Sequence, residues 1–479
     1  MNKILYIAAL TSLTVMSCSK KFINLQPVSS VSTDALYKTD KDFSDALVGA
    51  YSLLRDQYQV FFQFDLPSDD ARHQYPSDDI TLRLDNYTYQ NNEAFFLSSW
   101  GNYYGVISRV NAVLDKIANA DPNVVTNKNQ YIGEAKFLRA LCYFDLVRVF
   151  GDVPEVTTTI TDDAAMKIPR TKVESVYNDV IIKDLQDAAG LLPASYTGAS
   201  VGRATSGAAT AMLGRAYLTK KDFPNAETTL TKVTTMGYAL LPNYADLWNY
   251  AKDEHHSEYI FDIEYEENIQ AGSDFTNEFF PRFAPAAAFY QVAGISGDTY
   301  NPSDALFNIF EPADVRGPIT ASKGFVDNNG VYQSLAGSAG AKTMTLKYIT
   351  PIVLPGDSKA NWKVIRYGDV VLMLAEALNE NNKTSDAITW LNKIRSRAGV
   401  STYTTMNQSD LRDSIYLERR RELSFEGLRW FDLIRTGLAY QTLSPLGMKD
   451  YMVLYPIPLT QIQVVNNKNI LAQNPGWGD

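Results

Sequence analysis

Apolar residues recur at helical spacing along most of this chain. Phe43, Ala46, Leu47, Ala50, Tyr51 and Leu54 fall on one face of a helix that Thr39 or Asp40 can cap. The spacing predicts further helices over about 93–118, 131–149 and 173–190. In the second of these, Ala135, Leu138, Leu141, Cys142, Leu146 and Val149 form one stripe. It stops at Gly151, with Pro154 just beyond.

Two later stretches share a finer pattern. Leu213, Gly214, Tyr217, Ala226, Leu230 and Val233 are spaced as Leu374, Ala375, Leu378, Ala387, Leu391 and Ile394 are. A small and a large residue at these places lock two antiparallel helices together, as in tetratricopeptide repeats. Helix pairs near 93–149 can supply the further units that stacking needs. Residues 258–265 alternate as a short strand, through Tyr259, Phe261, Ile263 and Tyr265. A last amphipathic helix is predicted over about 409–435, with an extended tail after it.

Two stretches lack periodicity. Residues 65–92 are dense in Asp, Asn and Tyr. Residues 266–360 are rich in Gly, Pro, Ser and aromatics, with one helix expected near 303–311. Long irregular stretches in a compact domain commonly carry function.

Composition narrows the function. A chain of 479 residues exceeds one small core. A formal charge of -10 opposes phosphate binding, so no nucleic-acid partner is expected. Residues 1–17 read as an export signal: Lys3, then an apolar run from Ile4 to Met16 that is too short to span a bilayer. Val15-Met16-Ser17-Cys18 resembles a bacterial lipobox, so Cys18 is expected to carry lipid and residues 18–32 to form a tether. Cys142 is then the single remaining thiol and reads as buried and structural.

Ordered blocks along the chain resemble the SusD/RagB family of surface lipoproteins. They are Glu134–Ala140 with Tyr143–Pro154, Pro169-Arg170 with Asp184-Leu185, and Ile365–Tyr367 with Ala375–Ala377. The most specific is Glu418–Glu422 with Phe425–Gly427 and Arg429–Arg435. Tyr455–Pro458 and Gln473–Trp477 resemble the C-terminal signature. The resemblance implies a mainly α fold: a tetratricopeptide-like helical-repeat scaffold with a loop-rich, ligand-binding part that holds little β. It implies an N-terminal helical part over 33–265 and a C-terminal part over 266–479. The latter divides into loops over 266–360, a late repeat and signature helix over 361–437, and the tail. It further implies an outer-membrane, outward-facing protein that captures an oligosaccharide for a SusC/RagA-like TonB-dependent transporter. The alternatives are a RagB-like peptide binder, a bare protein-binding scaffold and, more distantly, a glycoside hydrolase.

The residues themselves point away from catalysis and cofactors. No Gly-Xaa-Ser-Xaa-Gly elbow or phosphate loop occurs, and no spacing singles out a carboxylate pair. His73, His255 and His256 are the candidate metal ligands, but the adjacent pair cannot face one way on a regular helix or strand, and no Cys or spaced His accompanies it, so no metal is expected. Asp69, Asp70, Asp78 and Asp79 offer hard oxygens for calcium but lack EF-hand spacing. Glu418 and Arg421, Glu426 and Arg429, and Asp432 and Arg435 are each three apart, a spacing for ion pairs along a helix surface. For ligand, aromatic rings stack on sugar faces while Arg and Asn read hydroxyls. Arg72, Tyr75, Asn86, Tyr87 and Tyr89 in the first irregular stretch, and Tyr290 and Tyr300 in the second, are therefore the expected contacts. The two stretches are expected to meet in space.

Overall fold

A computed structural model describes residues 37–478, apart from Asp78, Asp253, Ile295 and Ser296. The export leader, Cys18 and the tether lie outside the described residues. The fold is mainly α. Its long helices are α1 (Asp40–Tyr58), α2 (Ala94–Ile117), α3 (Lys128–Phe150), α4 (Ile182–Leu191), α5 (Ser206–Thr219), α6 (Phe223–Val233), α7 (Tyr367–Glu380), α8 (Thr384–Arg397), α9 (Gln408–Leu423) and α10 (Arg429–Thr436). No described helix is long and apolar enough to cross a membrane.

Thr39, rather than Asp40, caps α1, in a reciprocal box with Asp42. Helices then pack in a chain: α1 on α2, α2 on α3, α3 on α4, α4 on α5, α5 on α6, α6 on α7, and α7 on α8 and α9. The two repeated patterns are the pairs α5–α6 and α7–α8. Gly214 shows why a small residue is needed there. A Cβ at this position would lie 2.4 Å from a methyl of Leu230, so any larger residue would push the two helices apart. Cys142 is fully buried in α3, as an inert thiol should be.

Strands are few. They form four two-stranded antiparallel ladders: β1 (Ala71–Arg72) with β5 (Asn301–Pro302), β2 (Val153–Pro154) with β3 (Arg170–Thr171), β4 (Tyr259–Ile263) with β8 (Trp362–Arg366), and β6 (Gly324–Val326) with β7 (Tyr332–Ser334). The main core runs from Phe43 to Leu471. A second, smaller core of Phe280, Ala286, Leu335, Met344 and Ile352 lies beneath the loops.

Two expectations need correction. The helix expected over 409–435 is broken between Leu423 and Arg429. Phe425 and Gly427 both adopt left-handed backbone, with φ of 68° and 70°. Gly427 also sits where a Cβ would lie 2.8 Å from Trp362 and 2.9 Å from Phe61, so close packing as well as φ demands glycine. The helix expected near 303–311 is a single turn, Asp304–Phe307, capped by Ser303.

The signature charges are likewise not a solvated stripe. Glu418–Arg421 (3.6 Å) and Asp432–Arg435 (2.7 Å) do pair. Glu426 does not pair with Arg429; it takes Arg366 (2.7 Å) and Lys347 (2.9 Å) instead. Glu422 accepts from Arg366 (2.7 Å), Arg316 (3.1 Å) and Arg397. Arg366 and Arg397 both also hold Glu258. Burial alone would push the Glu422 carboxyl up, but the three guanidinium groups hold it well below the usual carboxylate range. This buried network ties α9 to α8, to the root of β4, to the end of β8 and to the loops around Arg316 and Lys347.

Candidate functional site

The signature block also grips the first irregular stretch. Asp65 Oδ1 accepts the Trp430 N–H (2.7 Å), and its Oδ2 accepts the Tyr300 hydroxyl (2.6 Å). Asp69 forms a bidentate pair with Arg429 and is also held by Arg420 (2.9 Å). Burial would raise the Asp69 carboxyl; Arg429 and Arg420 outweigh it and lower it. Asp70, wholly buried beside Asp69, is raised by that burial although Arg420 lies 2.5 Å away. The aspartates singled out for calcium are thus occupied otherwise. Asp69 and Asp70 bind arginine, and Asp79 caps the short helix Ile80–Asp85. Asp78 is outside the described residues.

Anchored in this way, the stretch turns into β1 and meets the second irregular stretch. Ala71 and Arg72 pair with Pro302 and Asn301. The Gln74 N–H donates to Asp298 O (2.8 Å), and its side chain accepts the Lys342 N–H (3.0 Å). A concavity of about 390 Å³ opens here, lined by Arg72, Gln74, Asp304, Lys342 and Thr343 among others. Arg72 is half-buried and donates to Ser68 O (3.1 Å) and Ala71 O (2.7 Å). Beside it Tyr75 is exposed, with the Arg282 guanidinium 3.7 Å over its ring.

A larger cleft of about 640 Å³ lies alongside. Its walls include Tyr290, Phe307, Phe310, Phe325, Tyr332 and Lys323. Phe289, Tyr290 and Phe325 pack on one another, with ring centroids 4.8–5.5 Å apart. Tyr290 is half-buried, and burial pushes its hydroxyl up to about 12. Tyr332 is 58% exposed at the start of β7. Lys323 lies over Phe307 (4.0 Å) and pairs with Asp304 (3.3 Å), so one ion pair joins the rims of the two concavities. The face is therefore a row of aromatic walls that continues into a polar saddle.

The expected contacts divide. Arg72 and Tyr290 line the two concavities, and Tyr75 is exposed beside Arg72 but lines neither. Asn86 is exposed, but it caps the helix Ile80–Asp85 and lines neither concavity. Tyr87, Tyr89 and Tyr300 are corrected to core residues. Tyr300 is wholly buried against Phe62, Phe279 and Phe425. Tyr89 packs among Phe96, Tyr455 and Trp477. Tyr87, with left-handed backbone (φ 55°), is buried and donates its hydroxyl to Pro67 O. Irregular backbone does not imply exposed side chains, and these rings fill the space between loops and helices. Phe307, Phe310 and Phe325 were not singled out from sequence; only their clustering in space identifies them.

Comparison with known proteins agrees with this architecture. A family profile described as "SusD family" matches residues 289–477, and one described as "Starch-binding associating with outer membrane" matches residues 21–218. The chain is 27% identical to SusD-like protein P38 of Formosa agariphila, over 94% of each chain. It is also 27% identical to SusD-like protein P2 of the same organism, over 99% of each. Among solved structures, a laminarin-binding SusD-like protein superposes with a TM-score of 0.80 at 27% identity, covering 92% of this chain and 100% of that one. A SusD homolog from Bacteroides thetaiotaomicron superposes with a TM-score of 0.81 at 22% identity, covering 94% and 99%.

Proposed function

Since this chain belongs to the SusD/RagB family, we propose that it captures an oligosaccharide at the cell surface on the face described above. The observation that carries this reading is the joined pair of concavities. Tyr290, Phe307 and Tyr332 offer flat apolar surfaces to sugar rings, and Arg72, Gln74 and Thr343 offer donors and acceptors to hydroxyls. The chain is tethered to the outer membrane through lipid on Cys18. It passes its ligand to a SusC/RagA-like TonB-dependent transporter and performs no chemistry of its own. In support, the carboxylates at this face are already engaged: Asp304 with Lys323, and Glu311 with Arg395 and Arg421.

The laminarin-binding SusD-like protein makes laminarin the first ligand to try. Calorimetric titration of laminarin and other oligosaccharides into wild type and into Tyr290→Ala and Tyr332→Ala tests the reading. Each lost ring should weaken binding by about fivefold, on the order of 1 kcal/mol. Binding that neither substitution weakens would place the site elsewhere, and binding of peptides with no glycan bound would favour the peptide alternative.

A further inference from the structure

A second polar cluster lies apart from the glycan face. Just before β4, His255 adopts left-handed backbone (φ 45°). The His256 Nδ1 accepts the Glu258 N–H (3.1 Å) and is occupied. His255 faces two carboxylates instead. Its Nε2 lies 3.0 Å from Glu264 Oε1, at the far end of β4, and 3.7 Å from Glu254 Oε2. One ligand atom from each of the three residues falls within 4.8 Å of the others.

We propose that Glu254, His255 and Glu264 form a binding site for a divalent transition-metal ion, Zn2+ or its chemical neighbours. Bonds of about 2.0–2.1 Å in a tetrahedral shell set ligand atoms roughly 3.3 Å apart. The two spacings at the imidazole bracket that value. An imidazole among the ligands selects against calcium and magnesium, which prefer oxygen alone. Two carboxylates beside one imidazole are a donor set that such a cation takes. Among the described residues, neither carboxylate pairs with Lys or Arg.

Each carboxylate is held from behind. The Asn361 side chain donates to Glu254 Oε1 (3.1 Å), which leaves Oε2 toward the imidazole. Tyr259 donates to Glu264 Oε1 (3.3 Å), and Gly202 lies so close to that carboxylate that a Cβ would sit 2.6 Å from Oε2. Such partners orient metal ligands. The cluster stands between two cavities, of about 330 Å³ on the His255 side and about 270 Å³ on the Glu264 side, so water can complete the shell. A bound ion would staple the turn before β4 to the end of the same strand.

The full mature chain in detergent should take up one Zn2+ in equilibrium dialysis. It should also develop the visible absorption of a low-symmetry Co2+ complex when Co2+ is titrated instead. His255→Asn, chosen because Asn tolerates left-handed backbone, should lose at least about tenfold in Zn2+ affinity. Glu264→Gln should also bind more weakly, and His73→Ala should match wild type. His255→Cys should retain binding, since thiolate replaces imidazole as a ligand. Circular dichroism checks that each variant is folded. Absence of Zn2+ binding to folded wild type, or binding that His255→Asn leaves unchanged, overturns the assignment.

Discussion

Arg429 and Asp69 are 360 residues apart in the chain, yet they form a bidentate ion pair of 2.8 and 3.0 Å. This contact fastens the first turn of α10 to the stretch that becomes β1. Removing one partner from a buried pair strands the other charge. Asp69→Ala should therefore cost about 3–5 kcal/mol in chemical denaturation. It should also weaken glycan binding, because Arg72 and Tyr75 follow directly on that anchor. Unchanged stability would show that Arg420 and Asp70 suffice to hold the stretch.

Tyr300 and Tyr332 should behave as opposites. Tyr300→Phe removes the hydroxyl that Asp65 accepts inside the core and should cost about 1–3 kcal/mol of stability, with ligand affinity intact. Tyr332→Ala, at an exposed site, should leave the melting temperature within about 1 °C and weaken binding. A double dissociation in calorimetry and melting checks the assignment; the reverse pattern would return Tyr300 to the ligand face.

Asp65 makes stability depend on pH. Burial pushes its carboxyl from the ordinary 3.8 up to about 7. The folded state thus holds this proton more tightly than the unfolded chain does. The group's contribution to stability falls as pH rises from about 4 to about 7, and it stays lost above that. Asp65→Asn cannot ionise and keeps an acceptor for the Trp430 N–H. The difference in melting temperature between variant and wild type should shift in the variant's favour by at least about 2 °C between pH 5 and pH 8. Parallel curves across that range would contradict the raised value.

Cys18 is the expected lipid attachment point. Metabolic labelling with a fatty-acid analogue should tag wild type and not Cys18→Ala, and the variant should leave the membrane fraction. Equal labelling of both would refute the anchor.

The helical frame was readable because each helix writes its buried stripe locally. Six matching positions were enough to find the pairs α5–α6 and α7–α8. Trp430 and Phe431 are buried in the signature block. The loops obeyed no such rule. Whether Tyr75 or Tyr300 reaches solvent depends on what lies above it, and that is decided by segments far away in the chain. Arg282 lies over one face of Tyr75 and leaves it exposed, whereas Phe425, from the signature block, covers Tyr300. One of the three signature ion pairs failed for the same reason. Spacing of three suggested Glu426–Arg429, but Lys347 and Arg366, brought in by the fold, captured Glu426.

The network around Glu422 bears on how the molecule comes apart. Its members come from near residues 258, 316, 366, 397 and 422, so no short piece of chain can assemble it alone. Contacts of such sequence separation form late and slow folding. The same geometry protects the finished molecule. Opening any one of those segments strands charges in the others, so partial unfolding there is steeply disfavoured. That cooperativity would resist proteolysis as a cross-link does, through the rate of opening.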